Sequence, residues 1–375
     1  MNFLLVGTCP DNNGAATHFV ALALALVEAG HHVTALVYPD SLVAQSLSRS
    51  AVHLRAAKFR NAFDPRGYTA LWRAVRQTRP DWLVGNSGKE YWPLIISGRI
   101  LGIPVALFRH RTPAMKRLSG YFTPRLAQRF FAVSWHARQA YLSRGIPAAR
   151  VHVLYNPVDL ETCRPDPQQR QLTLERLGID NTAIVLGYFG RMHTGKGIFP
   201  LFEAANQAMA REPRLHCLWV GSGGEAGSLR ALAAAHPMAS RHHFVSWVND
   251  THPLYSAISM LAFPSISPEA FGRVAIEAQA HGVPVLASDA GGIAETIANG
   301  HTGMLLPPGD VGAWGDAIIQ LCDPAIRLPM GEAAREFAQQ NFSFPVIAAE
   351  FVRILQPITG TQPEALSSGY VRRGL

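Results

Sequence analysis

The sequence contains only four cysteines, at positions 9, 163, 217 and 322, and no Cys-x-x-Cys pair. That spacing argues against a zinc site and against a disulfide framework. No Asp-x-Asp motif occurs, so the chemistry read below needs no bound divalent metal, and no cofactor is expected. Long apolar runs are also missing. The longest, Phe19 to Val27, is too short to span a bilayer and reads as a buried helix. The first residues, Met1-Asn2-Phe3-Leu4-Leu5-Val6, lack the basic start and long apolar middle of a signal peptide. These absences predict a cytoplasmic chain whose membrane contact is at most peripheral, at the inner face of the plasma membrane. Acidic residues are the scarcer charge, 26 against 34 basic ones, a formal net charge of +8. A basic balance favours anionic partners such as nucleotides or phospholipid head groups. Nucleic acid has only this net charge in its favour and is not expected.

What the chain does have is apolar residues, 48% of 375. That supports large buried cores in about two domains. Short apolar runs alternate with amphipathic stretches. Strands are predicted at Asn2–Gly7, His32–Tyr38, Trp82–Gly85, Val105–Phe108, Arg129–Val133 and Val151–Leu154. After a Pro-rich break between Asn156 and Asp180, the rhythm restarts at Ile184–Gly190. Further strands are predicted at His216–Gly221, His242–Val245, Met260–Pro264, Val283–Ser288 and Thr302–Leu306. Repeated β-α-β predicts an α/β protein of two doubly wound parallel-sheet domains, with a cleft between them as the default active site. The expected division is 1–165, 166–340, a C-terminal helix over 341–358 packing back on the first domain, and a mobile tail from 359.

The sharpest chemical signal is Gly190-Arg191-Met192-His193-Thr194-Gly195-Lys196-Gly197, at the carboxyl end of a predicted strand. Arginine offers a planar fork of donors and lysine a compact charge, and together they suit a diphosphate. Taken alone, the same residues also fit an ordinary surface loop with two solvated cations. The glycine spacing of a Walker loop is absent.

A second cluster runs Pro268-Glu269-Ala270-Phe271-Gly272-Arg273-Val274-Ala275-Ile276-Glu277. A helix starting near Gly272 leaves free N–H groups that attract an anion, with Glu269 before it and Glu277 on it; taken alone, the cluster also fits a helix flanked by solvated acids. Gly291-Gly292-Ile293-Ala294-Glu295 makes either another anion-friendly turn or a plain β-to-α connection. In the first half, the loop around Gly14 can approach a phosphate through its backbone, but it lacks the full Gly-x-Gly-x-x-Gly of a dinucleotide site. His110, between Arg109 and Arg111, either orients an acceptor or shuttles a proton, or is a structural histidine. Trp247 and Val248 either line a base pocket or pack in the core, and core packing carries more weight.

In this order the pieces resemble the retaining glycosyltransferases of family 4, with the GT-B fold. Glu269 to Glu277 matches that family's Glu-x7-Glu pattern. Gly190-Arg191 with Lys196-Gly197 matches its diphosphate loop, and Gly291-Gly292 its Gly-Gly turn. Val133-Ser134 and Val153-Leu154-Tyr155-Asn156-Pro157-Val158-Asp159 look like the end of its first domain. The resemblance implies a hexosyltransferase-type enzyme using a UDP- or GDP-sugar, with anomeric retention. Arg191 and Lys196 would neutralise the leaving diphosphate. Glu277 would bind the ribose hydroxyls, and Glu269, with backbone amides near Phe271 and Gly272, would hold the sugar. The chain departs from the pattern at Gly14-Ala15, where the family often has Gly-Gly. The expected acceptor is a glycan or glycolipid, in lipopolysaccharide or cell-surface polysaccharide biosynthesis. The segment from Arg109 to Arg129, with Lys116, Arg117, Tyr121 and Phe122, suits an anionic membrane, or is simply a basic solvated segment. The rival readings are a non-catalytic sugar-nucleotide-binding scaffold and a nicotinamide-dependent oxidoreductase.

Overall fold

The computed structural model describes residues 1–8, 13–110 and 117–356. Within these, the chain folds as two compact units. The first carries strands β1 (Asn2–Gly7), β2 (His32–Val37), β3 (His53–Ala56), β4 (Trp82–Gly85), β5 (Val105–Arg109), β6 (Arg129–Ala132) and β7 (Val151–Val153). They form one parallel sheet in the order β3-β2-β1-β4-β5-β6-β7. The second unit begins at Val158 and carries β8 (Ile184–Phe189), β9 (Leu215–Val220), β10 (His242–Val245), β11 (Met260–Phe263), β12 (Val285–Ser288) and β13 (Gly303–Leu306). Its sheet, also parallel, runs β10-β9-β8-β11-β12-β13.

These runs become strands because both of their faces are covered. Phe3 and Leu5 enter one core, while Leu4 and Val6 enter the core on the opposite face. In β8, Ile184, Leu186 and Tyr188 face one side, and Val185 and Phe189 the other. Each fully buried side chain of this kind contributes about 1.5–3 kcal/mol. Strand β3 was not predicted. It lies at the sheet edge with residues mostly exposed or half-buried, so it has no continuous apolar run to read. The last described helix, Phe344–Leu355, belongs to the first unit. Phe351 packs there with ring centroids 5.7 Å from Phe3, 5.7 Å from Phe108 and 5.3 Å from Phe131.

In each sheet the strand order reverses once, between β1 and β4 and between β8 and β11. Loops leaving the carboxyl ends of strands at such a reversal diverge and leave room for a ligand. Of the clusters read from the sequence, Gly14 follows β1, Gly190–Gly197 follows β8 and Pro268–Glu277 follows β11, while His110 follows β5 and Gly291–Glu295 follows β12.

Candidate functional site

In the second unit, three loops meet. Gly190–Gly197 follows β8, Pro264–Gly272 follows β11, and Asp289–Ile293 follows β12. The carbonyl of Gly195 accepts hydrogen bonds from the N–H groups of Ile266 (3.0 Å) and Ser267 (3.1 Å). Lys196 Nζ pairs with Glu269 Oε1, which also accepts from Ser265 Oγ at 2.8 Å. The N–H of Gly292 donates to the Glu269 carbonyl at 2.8 Å. Two glycines make this closeness possible. At Gly197, φ is +69° and a Cβ would lie 1.9 Å from the Pro264 carbonyl oxygen. At Gly291, φ is +69° and a Cβ would lie 2.6 Å from the Glu269 carbonyl oxygen. Both backbones occupy the left-handed region that disfavours side chains.

The side chains differ in freedom. Arg191 is exposed and forms no ion pair among the described residues. Its carbonyl is fixed by the hydroxyl of buried Tyr188 at 2.8 Å, next to Gly190 at the strand end. Burial raises the Tyr188 phenol well above its ordinary value, so the hydroxyl stays a donor. Lys196 and Glu269, expected from the sequence to meet different groups of the ligand, are partly buried and are each other's partner. Phe271 is buried. Gly272 precedes the helix Arg273–Ala280 without a side-chain cap, and its carbonyl accepts from the N–H of Ala275 at 3.0 Å; the positive end of a helix favours an anion.

Glu277 sits one turn into this helix, with both carboxylate oxygens held. Arg273 Nη2 pairs with Oε1, and the Tyr255 hydroxyl donates to Oε2 at 3.0 Å. Behind it, the His281 Nδ1–H donates to the Glu277 carbonyl at 2.8 Å. His281 Nε2 lies 2.9 Å from His252 Nδ1, and His252 Nε2 lies 3.7 Å from Asp166. Burial depresses His281 to about 4, which keeps it neutral.

Sequence reasoning missed two of these residues. Glu225 Oε1 accepts from Thr194 Oγ1 at 3.1 Å, tying the loop after β9 to the Arg191 loop. Its signal was the run Gly221-Ser222-Gly223-Gly224-Glu225 directly after a strand. A Cβ at Gly223 would lie 2.1 Å from the Met192 carbonyl oxygen, so the two loops press together. Tyr255 gave no local signal. Against the core packing that the sequence favours for it, Trp247 is 57% exposed, because β10 ends before it and the following loop carries it to the surface.

The other two predicted residues lie in the first unit. Gly14 is exposed at the start of the helix Gly14–Glu28. The Asn13 side chain already accepts from the N–H groups of Ala15 (2.9 Å) and Ala16 (3.2 Å). His110 Nε2 lies 2.9 Å from Asn86 Oδ1, and Asn86 Nδ2 donates to the Ala15 carbonyl at 2.9 Å. So Asn86 joins His110 to the loop of Gly14. Glu90, fully buried, accepts from the N–H and hydroxyl of both Thr8 (2.8 and 2.7 Å) and Ser87 (2.8 and 2.6 Å). Arg111 and Lys116 lie outside the described residues.

The chain is similar in sequence and fold to known proteins. The family described as "Glycosyltransferase Family 4" matches residues 12–162, and "Glycosyl transferases group 1" matches residues 169–337. A D-inositol 3-phosphate glycosyltransferase 2 of Catenulispora acidiphila is 33% identical over 290 residues, 72% of this chain and 67% of that protein. A D-inositol 3-phosphate glycosyltransferase of Kribbella flavida is 35% identical over 207 residues, 52% of this chain. That match spans about half of the Kribbella protein, 48%. Among solved structures, Anabaena Alr3699/HepE in complex with UDP-glucose superposes with a TM-score of 0.79 at 22% identity, covering 95% of this chain and 99% of that one.

Proposed function

Because the chain belongs to the family 4, group 1 glycosyl transferases, we propose that it moves a sugar from a UDP- or GDP-sugar to a glycan or glycolipid acceptor, with retention of the anomeric configuration and without a metal. The observation that carries this reading is the meeting of Lys196, Glu269 and Gly292, with the exposed cation Arg191 on the same loop as Lys196. Cleavage of the sugar–phosphate bond leaves negative charge on the diphosphate. Arg191, Lys196 and the uncapped helix start at Gly272 stabilise that charge more in the transition state than in the ground state. In this reading Glu269 holds the sugar hydroxyls, exchanging its contact with Lys196 for a shared one when the phosphates arrive. Glu277 receives the ribose. His110 orients the acceptor hydroxyl, held through Asn86.

The acceptor we assign is a lipid-linked intermediate of lipopolysaccharide or cell-surface polysaccharide biosynthesis, met at an anionic membrane surface. The support is the helix Arg117–Leu126, which exposes Leu118 (72%), Tyr121 (52%) and Phe122 (41%) at positions i, i+3 and i+4. An apolar stripe on a basic helix is the composition of an interfacial anchor. Among the described residues no helix is long and apolar enough to cross a membrane.

A thermal-shift and turnover panel of UDP- and GDP-sugars tests the donor. At least one should raise the melting temperature and be hydrolysed or transferred. The pair Arg191→Ala with Lys196→Ala should abolish both. Wild-type turnover in that pair would remove the site assignment, and binding without turnover of any donor would favour a non-catalytic scaffold.

A further inference from the structure

We infer that Tyr255 and Arg273 are positioning residues: they clamp the two oxygens of Glu277 so that its remaining lone pairs receive the two ribose hydroxyls of the donor. This rests on the reading of Glu277 given above.

The geometry is specific. Tyr255 donates to Oε2 at 3.0 Å, while Arg273, one turn earlier on the same helix, pairs with Oε1. A carboxylate has about four lone-pair sites, two on each oxygen. One contact on each oxygen therefore leaves one acceptor site on each, side by side. That is the pattern a vicinal diol requires, since two adjacent hydroxyls present two parallel O–H donors.

The clamp itself is rigid. Tyr255 is fully buried and stacks on Phe189 with centroids 4.1 Å apart and ring planes 6° apart. Its other neighbour is His281, stacked at 5.2 Å, which also holds the Glu277 carbonyl. Phe189 ends the strand that delivers the Arg191 loop. Tyr255 therefore ties the Glu277 carboxylate to the strand behind the diphosphate loop. A free glutamate loses side-chain entropy when it binds a ligand. Here Tyr255 and Arg273 impose that order beforehand. Burial also raises the Tyr255 phenol well above its usual value, so it remains a donor throughout the working pH range.

The test compares UDP and GDP with their 2′,3′-dideoxy counterparts by isothermal titration calorimetry. The proteins are the full chain and its Tyr255→Phe, Arg273→Gln and Glu277→Gln variants. The wild type should bind the better ribonucleotide about tenfold more tightly than its dideoxy form, and Glu277→Gln should lose that preference. Tyr255→Phe and Arg273→Gln should each weaken the ribonucleotide about three- to tenfold and leave the dideoxynucleotide unchanged. A purely structural defect would weaken both nucleotides together. If the wild type shows no preference, or Glu277→Gln keeps it, the assignment of Glu277 to ribose fails and the clamp with it. If Glu277→Gln loses the preference while the other two variants keep it, the clamp is overturned and the donor site stands. Should Tyr255→Phe not fold by circular dichroism, the partly exposed Arg273→Gln decides the matter.

Discussion

Lys196 and Glu269, 73 positions apart, form an ion pair that closes the loop after β8 onto the loop after β11. The pair is partly buried, so each charge depends on the other for its solvation. Removing one partner leaves the other charge uncompensated. Lys196→Ala and Glu269→Ala should each lower kcat/KM by about 10²-fold or more. The double variant should lose less than the product of the two, because residues in direct contact couple. Steady-state kinetics on the four proteins of this cycle measures the coupling. Strict additivity would show that the two side chains act independently in the reaction.

Gly197 and Gly291 set the spacing of the same loops. An alanine at Gly197 would bring its Cβ to 1.9 Å from the Pro264 carbonyl oxygen in a left-handed backbone. Gly197→Ala and Gly291→Ala should each destabilise the protein by about 2 kcal/mol or more, from strain and steric conflict together. Urea unfolding checks this. By contrast, a Cβ at Gly224 would meet nothing within 4 Å, so Gly224→Ala should change the unfolding midpoint little. Equal tolerance at all three positions would contradict the close packing of the loops.

The sequence made the sheets and their loops legible for a physical reason. Strands buried on both faces, such as β1 and β8, must be continuous apolar runs, and ligand loops leave their carboxyl ends. Glycines at 195, 197, 291 and 292 marked where backbone approaches backbone. What stayed hidden depends on long-range contact. Strand β3 is an edge strand with three of its four residues polar or small. Tyr255 meets Glu277 across 22 positions, and Glu225 meets Thr194 across 31, and no local pattern encodes either meeting. Trp247 looked like a core residue because large aromatics usually are, yet the chain turns outward there.

Divalent metal removal separates two ways of stabilising a leaving diphosphate. If Arg191, Lys196 and the helix start at Gly272 supply the positive potential, then activity in excess EDTA should stay within about twofold of the untreated enzyme. Strict dependence on Mn²⁺ or Mg²⁺ would mean that a bound cation does this instead.

Acid should destabilise the second unit through His242. Its Nδ1 accepts from the Trp219 indole N–H at 3.2 Å, so its proton sits on Nε2, which donates to Asn206 Oδ1 at 3.1 Å. Charging the ring would set an Nδ1–H against the indole N–H. Burial depresses its pKa from 6.5 to about 4. Between those values the unfolded chain binds the proton and the folded chain does not. The stability contributed is therefore complete above pH 6.5 and is lost as pH falls from 6.5 toward 4. Buried His281, also near 4, acts in the same direction. Urea midpoints measured across this range should fall with pH in the wild type. His242→Gln should be less stable at pH 7.5 but show a shallower fall; an unchanged slope would rule out His242 as a source of the effect.

The helix Arg117–Leu126 gives the acceptor proposal its own test. Leu118, Tyr121 and Phe122 are exposed together, and the Arg125 guanidinium lies 3.7 Å from the Tyr121 ring centroid. If this face enters a lipid surface, Tyr121→Ser with Phe122→Ser should weaken sedimentation with vesicles containing anionic lipid by about tenfold, through lost apolar burial. Lys116→Glu with Arg117→Glu should do the same and also remove the salt dependence of binding. Hydrolysis of a soluble donor should be unaffected in all of these variants, since the donor loops lie in the other unit. No binding of the wild type to anionic vesicles, or full binding by both pairs of variants, would detach the acceptor from the membrane and leave a soluble glycan in its place.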